Sequence, residues 1–177
     1  MNRKIVLKVT NFIWFQAIWW LVILYQNNAV WFVCLLITVW LWLSPKRLAD
    51  LKLMFILFVM GTAIDSVLTH VGVFIFEEKR SLVAFWPIPV WLSLLWCAFA
   101  GTVYHSMVAF QGRVAVSALA GGIFAPLSYI AGANLGAVEL GESILVTYLV
   151  VGIIWSIVFP FCFYLSEKIS PAEIEIK

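Results

Sequence analysis

The charged residues of this chain are crowded into a few short segments, and between them lie long, almost uncharged apolar stretches. A spanning helix needs roughly 20 mostly apolar residues to cross about 30 Å of hydrocarbon, and several of these stretches meet that requirement. Lipid offers no partners to backbone N–H and C=O groups, so such segments are expected to be helical. Composition supports this: 64% of the 177 residues are hydrophobic and 11% charged, more apolar surface than a water-soluble domain of this length can hide.

The expected fold is all-α: a polytopic membrane protein with about six transmembrane helices, forming one domain over 1–177. The spans fall at about 10–26, 29–44, 51–76, 87–110, 114–138 and 143–165, lengths compatible with tilted helices, and 166–177 form a short polar tail. Gln26-Asn27-Asn28 interrupts the first apolar run. It predicts a tight helical hairpin with Asn28 as the N-cap of the second helix.

Lys and Arg are retained on the cytoplasmic side of a membrane. Arg3, Lys4 and Lys8 precede the first span, Lys46, Arg47 and Lys52 lie between the second and third, Arg113 follows the fourth, and Lys168 and Lys177 follow the sixth. The opposite loops hold only Lys79 and Arg80, beside Glu77 and Glu78, together with Glu139 and Glu142. This bias predicts an N-in, C-in orientation. A net charge of +2 calls for no nucleic-acid partner. The first apolar run has no small-x-small cleavage site after Tyr25 and carries Asn11 and Gln16, so it reads as a retained helix rather than a signal peptide. Cys34, Cys97 and Cys162 lie within predicted spans without metal-type spacing, and read as packing residues.

Polar groups inside a membrane span are costly and mark either function or interhelical contact. Asp65 is the only acidic residue deep within a predicted span. At 100° per residue, Thr62, Asp65, Ser66, Thr69 and His70 share an arc of roughly 140°, which must face protein or water. One reading is hydrogen-bonded packing between helices; the other is a ligand, proton or substrate site. The fourth span offers a matching face of Ala98, Gly101, Thr102, His105 and Ala109. His70 and His105 are expected about 18 Å apart along the membrane normal, from a rise of about 1.5 Å per residue, too far for both to ligate one metal or haem iron. His105 by itself reads first as a histidine hydrogen-bonded to a neighbouring helix; a water-bridged proton path through His70, Asp65 and His105, with gaps of roughly 8–10 Å, is the other reading.

The fifth span combines Gly121-Gly122-Ile123-Phe124-Ala125-Pro126 with Gly132 and Gly136. Such a segment either packs tightly as a kinked helix or unwinds to form a substrate site, for which Ser128, Tyr129 and Asn134 are the available polar groups. Of the ten tryptophans, Trp31, Trp40, Trp42, Trp86 and Trp91 are expected near interfaces. Trp19, Trp20, Trp96 and Trp155 are expected deeper, either packing or lining a pocket for an acyl chain or a flat ligand.

The stretch from Pro89 to Ser106, PVWLSLLWCAFAGTVYHS, and the stretch from Pro126 to Ala137, PLSYIAGANLGA, resemble the domain-of-unknown-function 2878 family of bacterial inner-membrane proteins. Asn11, Phe15-Gln16, Trp19 and Gly61 to Phe76 carry the same resemblance. It implies a small multi-spanning protein of Gram-negative bacteria, with a suggested connection to lipid modification, and it supplies no activity, cofactor or catalytic residue.

The expected function is therefore non-enzymatic: binding or moving a small molecule, proton or lipid through the third to fifth helices. The candidate residues are Asp65, Thr69, His70, Thr102, His105, Tyr129 and Asn134. No cofactor or metal is expected; the partners are membrane lipids and either a second copy or another membrane protein. A membrane-embedded enzyme with Asp65 or His105 as acid or base, and an accessory subunit in lipid modification, are the alternatives. The chain contains no Ser-x-x-Lys pair, His-rich metal box, Asp-rich diphosphate motif or Gly-x-Ser-x-Gly.

Overall fold

The computed structural model describes residues 3–76 and 86–170. In chain order these form α1 (Arg3–Tyr25), a 3-10 turn (Gln26–Ala29), α2 (Val30–Leu43), α3 (Arg47–His70), β1 (Phe74–Ile75), α4 (Val90–Val103), a second 3-10 turn (Val108–Phe110), α5 (Val114–Asn134), β2 (Glu139–Leu140) and α6 (Ile144–Ile169). Four helical runs, Ile5–Leu43, Arg47–His70, Val114–Asn134 and Ile144–Ile169, are long and apolar enough to cross a membrane. Large apolar side chains also cover the outside, among them Trp31, Phe55 and Ile157, each more than 60% exposed. That surface suits lipid rather than water.

Within the first run the chain doubles back. Gln26 sits at φ 48°, Trp14 Nε1 donates to Leu36 O at 3.2 Å, and the Trp14 ring stacks on Trp40 at 5.2 Å. A straight helix would hold Trp14 and Leu36 roughly 33 Å apart, so α1 and α2 form the expected hairpin. Asn28 does not cap α2. Ala29 occupies that position without a side-chain cap, because the 3-10 turn passes directly into the helix.

Two elements are shorter than expected. α2 and α4 have 14 residues each, about 21 Å of helix against about 30 Å of hydrocarbon. The span expected at 87–110 leaves α-helical geometry after Val103, where the backbone N–H groups of His105 and Met107 both return to Thr102 O and close the helix. α4 is the buried centre of the bundle: ten of its fourteen residues are buried. It packs against α3 on one side and against α1 and α2 on another.

Polar contacts show which helix ends lie together. Asn11 Nδ2 donates to Gly101 O at 2.9 Å, while Asn11 Oδ1 accepts from Ser106 N and Oγ. The Tyr104 hydroxyl donates to Ser166 O. The N-terminal half of α1, the end of α4 and the end of α6 thus meet at one end of the bundle. At the other, Gln26 Nε2 donates to Gly136 O, and β1 pairs antiparallel with β2, Phe74 opposite Leu140 and Ile75 opposite Glu139.

α5 remains one helix through Pro126, so of the two expectations for this segment it follows close packing rather than unwinding. It lies along α6 at near backbone contact: a Cβ at Gly121 would stand 2.3 Å from Trp155 O, and one at Gly152 would stand 2.9 Å from Gly122 O. Toward α1 and α4, by contrast, α5 reaches mainly through side chains.

Candidate functional site

The polar stripe on α3 faces its neighbours where it carries Thr62 and Asp65. Thr62 Oγ1 donates to Ser93 Oγ on α4 at 2.8 Å, and Trp86 Nε1 donates to the same oxygen at 3.1 Å. Asp65 is fully buried. Its Oδ2 accepts from Trp96 Nε1 on α4 at 2.7 Å, and its Oδ1 accepts from the Tyr129 hydroxyl on α5 at 2.9 Å. Each carboxylate oxygen thus has a donor, as a buried carboxylate requires. The indole reaches Asp65 because Gly61 leaves room for it: a Cβ there would lie 1.9 Å from Trp96 Cδ2. Trp96 stacks on Trp155 of α6 at 4.8 Å, and Tyr129 stacks on Phe74 of β1 at 4.9 Å. One carboxylate therefore joins α3, α4 and α5, and its two donors are held by rings from two further elements.

Trp96 and Tyr129 also form part of the wall of a cavity of about 300 Å³ between the α5–α6 pair and the α1–α4 side. Trp19, Trp91, Phe99 and Phe159 line it as well, and Ser128 and Tyr129 carry its side-chain hydroxyls. From Ala120 to Gly132 on α5, both in the wall, the helix rises roughly 18 Å, against about 15 Å for half of a 30 Å hydrocarbon core. Phe124 lines the cavity yet is 68% exposed, so the space reaches the outer, apolar surface of the bundle. Trp19 Nε1 donates to Ser128 Oγ at 2.9 Å and bridges α1 to α5 beside this opening.

The other expected site residues do not converge on Asp65. Thr69 Oγ1 donates to the Asp65 backbone carbonyl at 2.8 Å, and Thr102 Oγ1 to that of Phe99 at 2.6 Å, both bonds within their own helices. His70 and Asn134 are exposed at the last residues of α3 and α5. Ala109, expected on the packing face of α4, is exposed beyond the end of that helix.

His105 is buried in a second polar cluster that sequence reasoning did not find. Its Nε2 lies 2.9 Å from Asp50 Oδ2 and 3.2 Å from Oδ1, with the edge of the ring against Trp40 at 5.1 Å. The Ser44 hydroxyl also donates to Asp50, and Ser44 Oγ stands 3.4 Å from His105 Nε2. Asp50 stands one residue before the third span as expected at 51–76 and is not among the candidate residues. It lies in the first turn of α3, where a carboxylate is favoured by the helix dipole, and it is fully buried. Fifteen residues, roughly 22 Å of helix, separate Asp50 from Asp65. The expected gap of 8–10 Å between Asp65 and His105 is corrected accordingly, since His105 lies past the end of α4. His70 is roughly 30 Å along α3 from the aspartate that binds His105.

This cluster has the residue types of a hydrolytic triad without its geometry. A serine nucleophile needs one imidazole nitrogen at its hydroxyl and the orienting carboxylate at the other. Here Ser44 and Asp50 both face Nε2, and the carboxylate accepts from both partners. The arrangement joins the α2–α3 link to the end of α4.

Residues 8–161 match the family described as "Protein of unknown function (DUF2878)". The chain belongs to this family. No curated protein and no solved structure matches it. The match takes in α2 to α5 whole, with Asp50, Asp65, His105 and Tyr129, and ends within α6.

Proposed function

We propose that this DUF2878 protein is a multi-pass protein of the bacterial inner membrane that binds the hydrocarbon portion of a lipid, or a small molecule of similar shape, between α1, α4, α5 and α6. The observation that carries this reading is the cavity: leaflet-long, walled by aromatic rings and small residues, and open toward the apolar exterior. Ligand sites are concave and mostly apolar with a few placed polar groups, and this wall has that character. Asp65 serves as the brace that holds Trp96 and Tyr129 in position, not as an acid or base. Both of its oxygens are engaged by donors that the wall itself supplies.

In this reading the six helices all cross, N-in and C-in, with the turns at 104–110 extending the short α4. Lys46, Arg47 and Lys52 lie at the bundle end that also holds the Asp50–His105 pair, which the positive-inside rule assigns to the cytoplasm. The cavity is built within a single chain, so binding needs no second copy.

Native mass spectrometry of the detergent-purified protein after incubation with hexadecane tests the reading. Hexadecane adducts on the wild type, lost in Ala125→Phe, which places a ring in the cavity, support it, with a thermal melt to check that the variant is folded. Adducts on neither protein, or equally on both, contradict it.

A further inference from the structure

The two side-chain hydroxyls of the cavity wall differ in what their protons do. Tyr129 donates to Asp65. Ser128 Oγ accepts from Trp19 Nε1, but its own proton has no acceptor among the described residues. Thr38, Ser66, Thr69 and Ser117, also within helices, each return the hydroxyl proton to a carbonyl of the same helix; Ser128 does not. It is also within reach of a ligand, being half-buried in the wall. At 100° per residue the wall residues of α5 cover an arc of roughly 180°, from Ala120 at one edge to Tyr129 at the other, and Ser128 falls at its middle. Phe124, which marks the opening, is one turn away.

A hydroxyl donor among hydrocarbon has no water to bind, and it costs free energy until an acceptor reaches it. The depth of Ser128 fixes where along a chain that acceptor stands. Ser128 lies four residues beyond the middle of α5, roughly 6 Å from it, whereas the hydrocarbon core ends about 15 Å from its midplane. The ester groups of a membrane lipid lie at or beyond that boundary, about 9 Å or more from the level of Ser128. Resting on the hydrocarbon-binding reading, we infer that the occupant is a chain bearing an acceptor oxygen, a ketone or an ether, within its hydrocarbon, and that Ser128 Oγ donates to this oxygen. The wall continues roughly 12 Å along α5 from Ser128 to Ala120 and roughly 6 Å to Gly132, so apolar chain extends on both sides of the oxygen. Among the described residues of the wall there is no cationic side chain, so a neutral oxygen is matched there and a carboxylate or phosphate is not.

Native mass spectrometry of the detergent-purified full chain with hexadecane, hexadecan-8-one and hexadecan-2-one tests this, because the three share a chain length and differ in whether and where they carry the oxygen. Ser128→Ala removes the donor; Trp19→Phe removes the indole N–H and keeps the Ser128 hydroxyl. A neutral hydrogen bond corresponds to about a fivefold change in affinity. The expected result is that affinity for hexadecan-8-one relative to hexadecane falls roughly fivefold in Ser128→Ala and stays at the wild-type ratio in Trp19→Phe. The wild type is also expected to bind hexadecan-8-one more tightly than hexadecan-2-one. Hexadecane binding by each variant shows that it is folded. An unchanged ratio in Ser128→Ala, or wild-type binding of hexadecan-2-one as tight as that of hexadecan-8-one, overturns the inference while hydrocarbon binding stands. If none of the three binds the wild type, the reading beneath it fails as well.

Discussion

The Tyr129 hydroxyl donates to Asp65 Oδ1 at 2.9 Å, and this bond holds α5 against α3 beside a cavity that otherwise keeps α5 away from the centre of the bundle. With the Trp96 donor on Oδ2, it makes Asp65 the joint of three helices. Tyr129→Phe and Trp96→Phe each leave a buried carboxylate oxygen without its donor. Each is expected to destabilise the protein by about 1–3 kcal/mol, read as a lowered thermal midpoint in detergent. Unchanged midpoints for both would show that Asp65 does not depend on these donors.

Gly61 allows Trp96 to lie on the α3 backbone. In Gly61→Ala the new Cβ meets the indole, which must move off Asp65. The expected cost is about 1–3 kcal/mol from overpacking, together with weaker hexadecane binding, because Trp96 is part of the cavity wall. A neutral Gly61→Ala variant in thermal melts would contradict the packing described.

Asp50 and His105 form a separate unit. Asp50→Ala leaves the buried His105 and Ser44 without their acceptor and is expected to destabilise by about 2–4 kcal/mol. Asp50→Ala combined with His105→Ala should cost clearly less than the sum of the single variants, because the two side chains act on each other. Strict additivity in a double-mutant cycle would refute the pairing.

Asp65 as a brace also predicts the outcome of a proton assay. In liposomes, wild type and Asp65→Asn are expected to show the same background flux. A flux present in the wild type and abolished in Asp65→Asn would favour the proton-path reading instead.

Much of the helical plan was legible in the residues. The interruption at Gln26-Asn27-Asn28 and the charges Lys46 and Arg47 separate apolar runs, and these runs became the helices, because helix position in such a chain follows where polar residues and charges interrupt the hydrophobic pattern. Asp65 and Tyr129 were identifiable as costly polar groups in apolar spans, though nothing in their spacing, 64 residues apart, announced that they bond. The cavity was less legible. Trp19, Trp91, Trp96 and Trp155 come from three helices, and whether such rings pack together or stand apart depends on how α5 seats on α6 through Gly121, Gly122 and Gly152. Asp50 was missed for a different reason. A charge just outside a hydrophobic window reads as a loop residue, and only the fold of the Ser44–Lys46 link over the end of α4 encloses it.

The central claim is that a hydrocarbon chain lies between α4 and α5, and brominated lipid locates it directly. A structure of the protein in nanodiscs made with phosphatidylethanolamine brominated midway along its acyl chains is expected to show bromine density inside the cavity, beside Phe99 and Phe159. Bromine density confined to the outer surface of the bundle, with no chain in the cavity, would contradict the account.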